Sequence, residues 1–181
     1  TKFIQTENLE MKPAAENTVD TNRIIIGIEN NGQAKAYPIQ FLGYHHLVFD
    51  TIGGKPIVVT YCIICRSGRV FEPIVNGKPE HFKLVGINHD NAILQDKTTE
   101  SWWQQSTGEA ITGSLKGKSL PEFSSSQMAL KQWLALYPNS LIMQPDKNYL
   151  ADYKSLSNYE TGNEKKVNTD TVSWQEKSWI A

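Results

Sequence analysis

Hydrophobic and polar positions alternate in short runs along most of this chain, and turn-forming residues separate the runs. "RIIIGIENNGQAKAYPI" places Asn31-Gly32 between two β-capable stretches, the residue pair that a two-residue type I′ hairpin turn favours. Pro38 then suits the first turn of a short helix through "IQFLGYHH". "LVFDTIGGKPIVVTYC" reads as a strand, a Gly-Gly turn and a buried strand rich in Ile and Val, which predicts antiparallel pairing of 47–52 with 55–62. "RVFEPIVNGKPEHFKLVGI" predicts a second hairpin with Asn76-Gly77 at its tip, and "NAILQD" and "EAITG" predict further short strands.

One helix pattern stands out. Leu130, Trp133, Leu134 and Tyr137 recur at i, i+3, i+4 and i+7, Ser124 and Gln127 have capping-box spacing, and Pro138 ends the run. The spacing predicts a helix over roughly 125–137, with "SLIM" returning the chain to the sheet. The fold class is therefore α+β and strand-dominated, an antiparallel or mixed sheet built from hairpins with one or two helices packed on it. No strand–helix–strand rhythm points to a doubly wound sheet. Residues 1–21 read as an N-terminal tail and 22–145 as the core domain. Residues 146–181 read as an extended C-terminal wrap pinned by Tyr149, Tyr153, Tyr159, Trp174 and Trp179.

Composition narrows the function classes. The chain has 181 residues, 39% hydrophobic and 20% charged, with a formal net charge of −1. That balance gives no electrostatic footprint for nucleic acid. No apolar run approaches the roughly 20 residues that a membrane-spanning helix needs. "GSLKGKS", Gly113 to Ser119, has one residue too few for a phosphate-binding loop, and Pro121 blocks the helix that should follow, so no nucleotide cofactor is expected.

The chemistry-bearing candidates cluster around the two cysteines, Cys62 and Cys65, in "TYCIICRSG". Redox pairs of the thioredoxin kind sit at a helix N-terminus, whereas here the pair follows a β-branched strand and precedes another. Residues three apart on a strand face opposite ways, so convergence of the sulfurs requires a turn within Ile63-Ile64, which Ser67-Gly68 would permit. The strand pairing brings His45 or His46 to the same end of the sheet as Cys62. Two thiolates and an imidazole form a soft donor set, so Cys62, Cys65, His45 and His46 are expected to bind copper before zinc. Two other readings of the pair stay open: a thiol–disulfide redox centre, and a structural disulfide in a non-enzymatic scaffold or ligand-binding module. Trp102 and Trp103 are the candidate ligand platform, although adjacent tryptophans on a strand point to opposite faces. Of the other histidines, His81 reads as a solvated side chain in a strand arm. Asp50, Asp96, Glu100 and Glu109 include residue types that can pair for glycoside hydrolysis, but a carboxylate pair is defined by a separation in space that sequence does not measure.

With these residues in view, the chain resembles a widespread prokaryotic family catalogued as a domain of unknown function. The likeness rests on "GQAKAYPI", "HHLVFDTIGGKPIVVTYCIIC", "GRVFEPIVNGK", "SWWQQSTGEAITGSLKG" and "WLALYPNSLI", and runs from about Ile24 to Gln144. The family pattern is similar to His-Glu where this chain has His45-His46, and to Cys-Pro-Leu-Cys where it has Cys62-Ile63-Ile64-Cys65. The resemblance implies a secreted, periplasmic or lipid-anchored, extracytoplasmic location, and names no reaction. "KSWIA" at 177–181 resembles the start of another sheet unit, as in longer relatives.

Overall fold

The alternating runs become strands in the computed structural model, which describes residues 8–161. In chain order the elements are β1 (Met11–Pro13), β2 (Ile24–Asn30), β3 (Gln33–Pro38), α1 (Ile39–His45), β4 (Leu47–Ile52) and β5 (Lys55–Cys62). There follow β6 (Ser67–Phe71), β7 (Ile74–Val75), β8 (Lys78–Pro79), β9 (Phe82–Asn88), β10 (Asn91–Asp96) and β11 (Trp102–Gln104). The described chain ends with β12 (Glu122–Phe123), β13 (Ser126–Ala129), α2 (Leu130–Leu136), β14 (Leu141–Met143) and α3 (Leu150–Ser155). Strands dominate, as the alternation predicts.

The strands form three main sheets, ordered β1-β14-β3-β2-β13, β12-β6-β5-β4 and β11-β10-β9, with β7-β8 as a separate ribbon. Only β14 with β3 is parallel among the described pairings. Side-chain alternation then decides the layering. Val48, Ile52, Ile57, Val59, Tyr61 and Val70 face one way and join Ile26, Ile28 and Tyr37 in a first core. Leu47, Val58 and Phe71 face the other way and join Phe82, Leu94 and Trp103 in a second. The β12-β6-β5-β4 sheet is thus the middle layer, covered on both faces. A third core lies behind the first sheet, where Leu130 and Trp133 of α2 cover Ile25, Ala34, Ala36 and Ile142. The Trp133 indole rests directly on the β2 backbone: a Cβ on Gly27 would come within 2.5 Å of it.

Both Asn-Gly turns close hairpins as expected. Asn31 and Gly32 have φ of 51° and 76°, as do Asn76 and Gly77, matching the type I′ requirement for positive φ at both positions. The second hairpin is smaller than its sequence suggests. It joins only β7 to β8, while β6 pairs with β5 and β9 with β10.

Three other expectations need correction. The helix over 125–137 shortens to Leu130–Leu136, because Ser126–Ala129 pairs with β2 as a strand. Its first turn is capped by Gln132, whose side-chain oxygen accepts the Ala129 N–H at 3.2 Å, rather than by Ser124 and Gln127. "EAITG" forms only isolated bridges, Trp103 to Ala110 and Glu109 to Ser119. Residues 147–161 wind through a 3-10 turn at Lys147–Tyr149, α3 and a second such turn at Tyr159–Thr161, instead of running extended. Trp174, Trp179 and "KSWIA" lie outside the described residues.

The first two sheets are joined by a buried ion pair. Lys35 and Tyr37 occupy the inward positions of β3, so the lysine must find its partners inside. Its ammonium donates to Asp50 Oδ1 at 2.9 Å, Asp50 Oδ2 at 2.8 Å and the Thr51 carbonyl at 2.8 Å. The Tyr37 hydroxyl donates to Asp50 Oδ2 at 2.8 Å. Truncation of Lys35 leaves a desolvated carboxylate without its cation, a loss of about 3–5 kcal/mol. Urea titration of Lys35→Ala is expected to show a loss of that size, and the apolar set Lys35→Met, Tyr37→Phe and Asp50→Leu, which leaves no buried hydroxyl unpaired, to recover most of it.

Candidate functional site

Every side chain from Ile57 to Cys62 is buried, and β5 is paired along both edges. It ends at Cys62, which pairs across the sheet with Ser67, so the reversal into β6 must fit into Ile63–Arg66. The left-handed residue of this loop is Arg66, at φ 52°, rather than Ser67 or Gly68, which already belong to β6. The turn brings the cysteine Cα atoms to 5.3 Å, within the usual range for a bridge, and the two sulfurs are bonded as a disulfide. Cys62 is 3% exposed, whereas Cys65 is half-buried on the loop. The Cys65 N–H donates to Cys62 Sγ at 3.2 Å.

The loop is held from two sides. On the side of the second core stands the β9–β10 tip, a two-residue turn of His89 and Asp90 with φ of 46° and 61°. Its Asp90 carbonyl oxygen lies 2.5 Å from Cys65 Sγ and 3.7 Å from Cys62 Sγ. A bridged sulfur has no hydrogen to donate, but a Cys65 thiol would find its acceptor there. Asn91 Oδ1, at the same tip, accepts the Ser106 N–H at 3.2 Å. Gln105 is buried beneath the hairpin, where its Nε2 donates to Thr60 Oγ1 at 2.9 Å and to the Ser67 carbonyl at 3.3 Å. Its Oε1 has no partner.

On the side of the first core, the Tyr159 hydroxyl donates to the Ile63 carbonyl, and the Tyr61 hydroxyl lies 3.3 Å from it. Burial raises the Tyr61 phenol, helped by this hydrogen bond, so it stays neutral. The Arg66 guanidinium stacks 4.8 Å from the centre of the Tyr159 ring, so it is engaged with that face of the loop.

The expected metal centre is not assembled. Among the described residues no group of three or more His, Cys, Asp or Glu side chains is placed to hold a metal ion. The two sulfurs are bonded to each other, and neither offers a thiolate. The His45 ring is turned into the fold, with 1% exposure and its Nε2 2.6 Å from the Tyr153 hydroxyl. The rings of Tyr44, Tyr149 and Tyr153 surround it at 5.1, 5.3 and 5.6 Å. His46 caps α1 at φ 63°, and its carbonyl accepts the Tyr61 N–H at 2.9 Å. Copper or zinc binding by Cys62, Cys65, His45 and His46 is therefore overturned.

The remaining candidates have identifiable positions. Trp103 is buried and donates from Nε1 to Asp96 Oδ2 at 2.9 Å, while Trp102 is half-buried on the opposite face of β11. Asp50 serves the Lys35 pair, and His81 is exposed. Sequence reasoning did not bring Asp90, Gln105 or Tyr159 to the cysteine loop, although Tyr159 was among the rings expected to pin the C-terminal segment. Gln105 sits in "WWQQSTGEA", a segment that also carries the family likeness. Asp90 lies in a His-Asp turn that lacks the Gly of the β2–β3, β4–β5 and β7–β8 turns, and Tyr159 stands in a polar stretch.

The arrangement defines a class: a strand-rich α+β domain whose middle sheet ends in a disulfide-closed hairpin. The chain belongs to the family described as protein of unknown function (DUF3179), which it matches over residues 4–178. Comparison with curated proteins and with solved structures found no match.

Desolvation pulls His46 from an ordinary 6.5 down to about 4, with the neighbouring His45 adding to the effect and a hydrogen bond at Tyr61 opposing it. The folded state thus favours neutral imidazole. This contribution is fully present above about pH 6.5 and is lost as pH falls toward 4. Urea melts between pH 7 and pH 4.5 are expected to lose on the order of 1–3 kcal/mol from this group. His46→Asn, which tolerates the positive φ, is expected to flatten the profile in that window.

Proposed function

We propose that this domain is a non-enzymatic scaffold or ligand-binding module of an extracytoplasmic compartment, with Cys62–Cys65 as a structural bridge. The observation that carries this reading is the burial of Cys62 in a bridged loop clamped between the β9–β10 tip and Tyr159. A bridge persists in oxidising surroundings, which supports the extracytoplasmic location that the family resemblance implies. No helix begins at either cysteine to stabilise a thiolate by its dipole, so the geometry favours a lock over a thioredoxin-like exchange centre. The ring closed by the bridge is short, and its entropic contribution is about 2 kcal/mol. Its larger effect is to hold the Ile63–Arg66 loop in the one shape that meets both clamps. Of the two tryptophans, Trp102 is the one left toward the surface for a ligand.

The reduction potential of the purified domain, measured against glutathione and dithiothreitol couples, tests this reading. A structural bridge is expected below about −300 mV. The double variant Cys62→Ser with Cys65→Ser is expected to fold and to lose about 2 kcal/mol of stability. A potential near the −180 mV of a disulfide isomerase, or turnover in an insulin-reduction assay, would instead favour thiol–disulfide chemistry.

A further inference from the structure

The two sulfurs of the bridge are not equivalent, and the difference assigns a modification site. We propose that Cys65 Sγ is the atom at which an external thiol opens the bridge, so that Cys65 is a site of reversible mixed-disulfide formation with small thiols. In that step an incoming thiolate bonds to Cys65 Sγ, the S–S bond breaks, and its electron pair leaves on Cys62 Sγ. No further oxidant or reductant is consumed. Return attack by the Cys62 thiolate on Cys65 Sγ expels the thiol and restores the bridge.

Access and electrostatics agree on this direction. Cys62 is 3% exposed at the end of a strand buried on both faces, while Cys65 is half-buried on the loop. The leaving charge on Cys62 Sγ meets the Cys65 N–H at 3.2 Å, and a hydrogen bond to an ionised acceptor is roughly twice as strong as a neutral one. Attack at Cys62 would put that charge on Cys65 Sγ, 2.5 Å from the Asp90 carbonyl oxygen, which repels it. The same carbonyl accepts the Cys65 S–H once the loop is fully reduced. The inference concerns which sulfur is attacked: glutathione opens a bridge below about −300 mV in only a small fraction of molecules, so the assignment is read from how the adduct divides between the two sulfurs and not from its amount.

The oxidised, full-length protein is incubated with excess reduced glutathione, quenched with acid, alkylated and mapped by peptide mass spectrometry. The expected result is glutathione on Cys65 and the alkyl label on Cys62, in a ratio of about 10:1 or more, the factor that 1.4 kcal/mol provides. Adducts shared equally, found mainly on Cys62 or not formed at all would overturn the assignment. Failure to form any adduct would leave the structural reading of the bridge standing, whereas a high reduction potential with adducts on Cys65 would do the reverse.

Discussion

The backbone of β5 exchanges hydrogen bonds along both edges while its side chains, from Ile57 to Cys62, are withdrawn from water on both faces. That double burial organises the molecule. Ile57, Val59 and Tyr61 fill the first core, Val58 reaches into the second, and full burial of each aliphatic side chain is worth about 1.5–3 kcal/mol. A strand so enclosed can be neither shifted nor peeled away without emptying two cores at once. One register step would exchange the two sets of side chains between faces. The position of Cys62 is therefore set by the packing of the whole strand.

The chemistry at the end of β5 follows from the same constraint. On the face of Val58, Thr60 meets Gln105 and Cys62 meets the Asp90 turn; on the face of Tyr61, the chain meets Tyr159. The loop between these contacts has four residues and is clamped on both sides with its sulfurs bonded to each other, and the histidines find other work. His45 closes an aromatic group between α1 and α3, and His46 ends α1 and starts the pairing of β4 with β5.

What the sequence made legible was local. Asn31-Gly32 and Asn76-Gly77 announce their turns because few residue pairs tolerate positive φ twice, and "LVFDTI" with "KPIVVTYC" announces a hairpin by alternation and a Gly-Gly turn. The return of the chain past Cys62 was also legible, since an extended strand cannot bring residues three apart together. The contacts that define the site were not. Asp90 and Tyr159 reach the cysteine loop from 25 and 96 residues away, along no periodic pattern. Helical spacing at Leu130, Trp133 and Leu134 was real, but it could not show that Ser126–Ala129 would be recruited as a strand by β2. Adjacent His45 and His46 look alike as letters, but α1 ends between them, so His45 is fully buried while His46 takes a positive φ and is half-buried.

The central claim is that Cys62 and Cys65 are joined to each other in the native protein and serve neither as free thiols nor as metal ligands. The carbon-13 chemical shifts of the two Cβ atoms, recorded on the folded protein with and without added copper or zinc, test it most directly. Both are expected in the cystine range and unmoved by either metal. Shifts in the free-thiol range, or a move of either resonance to the metal-thiolate range on addition of the ion, would contradict the account.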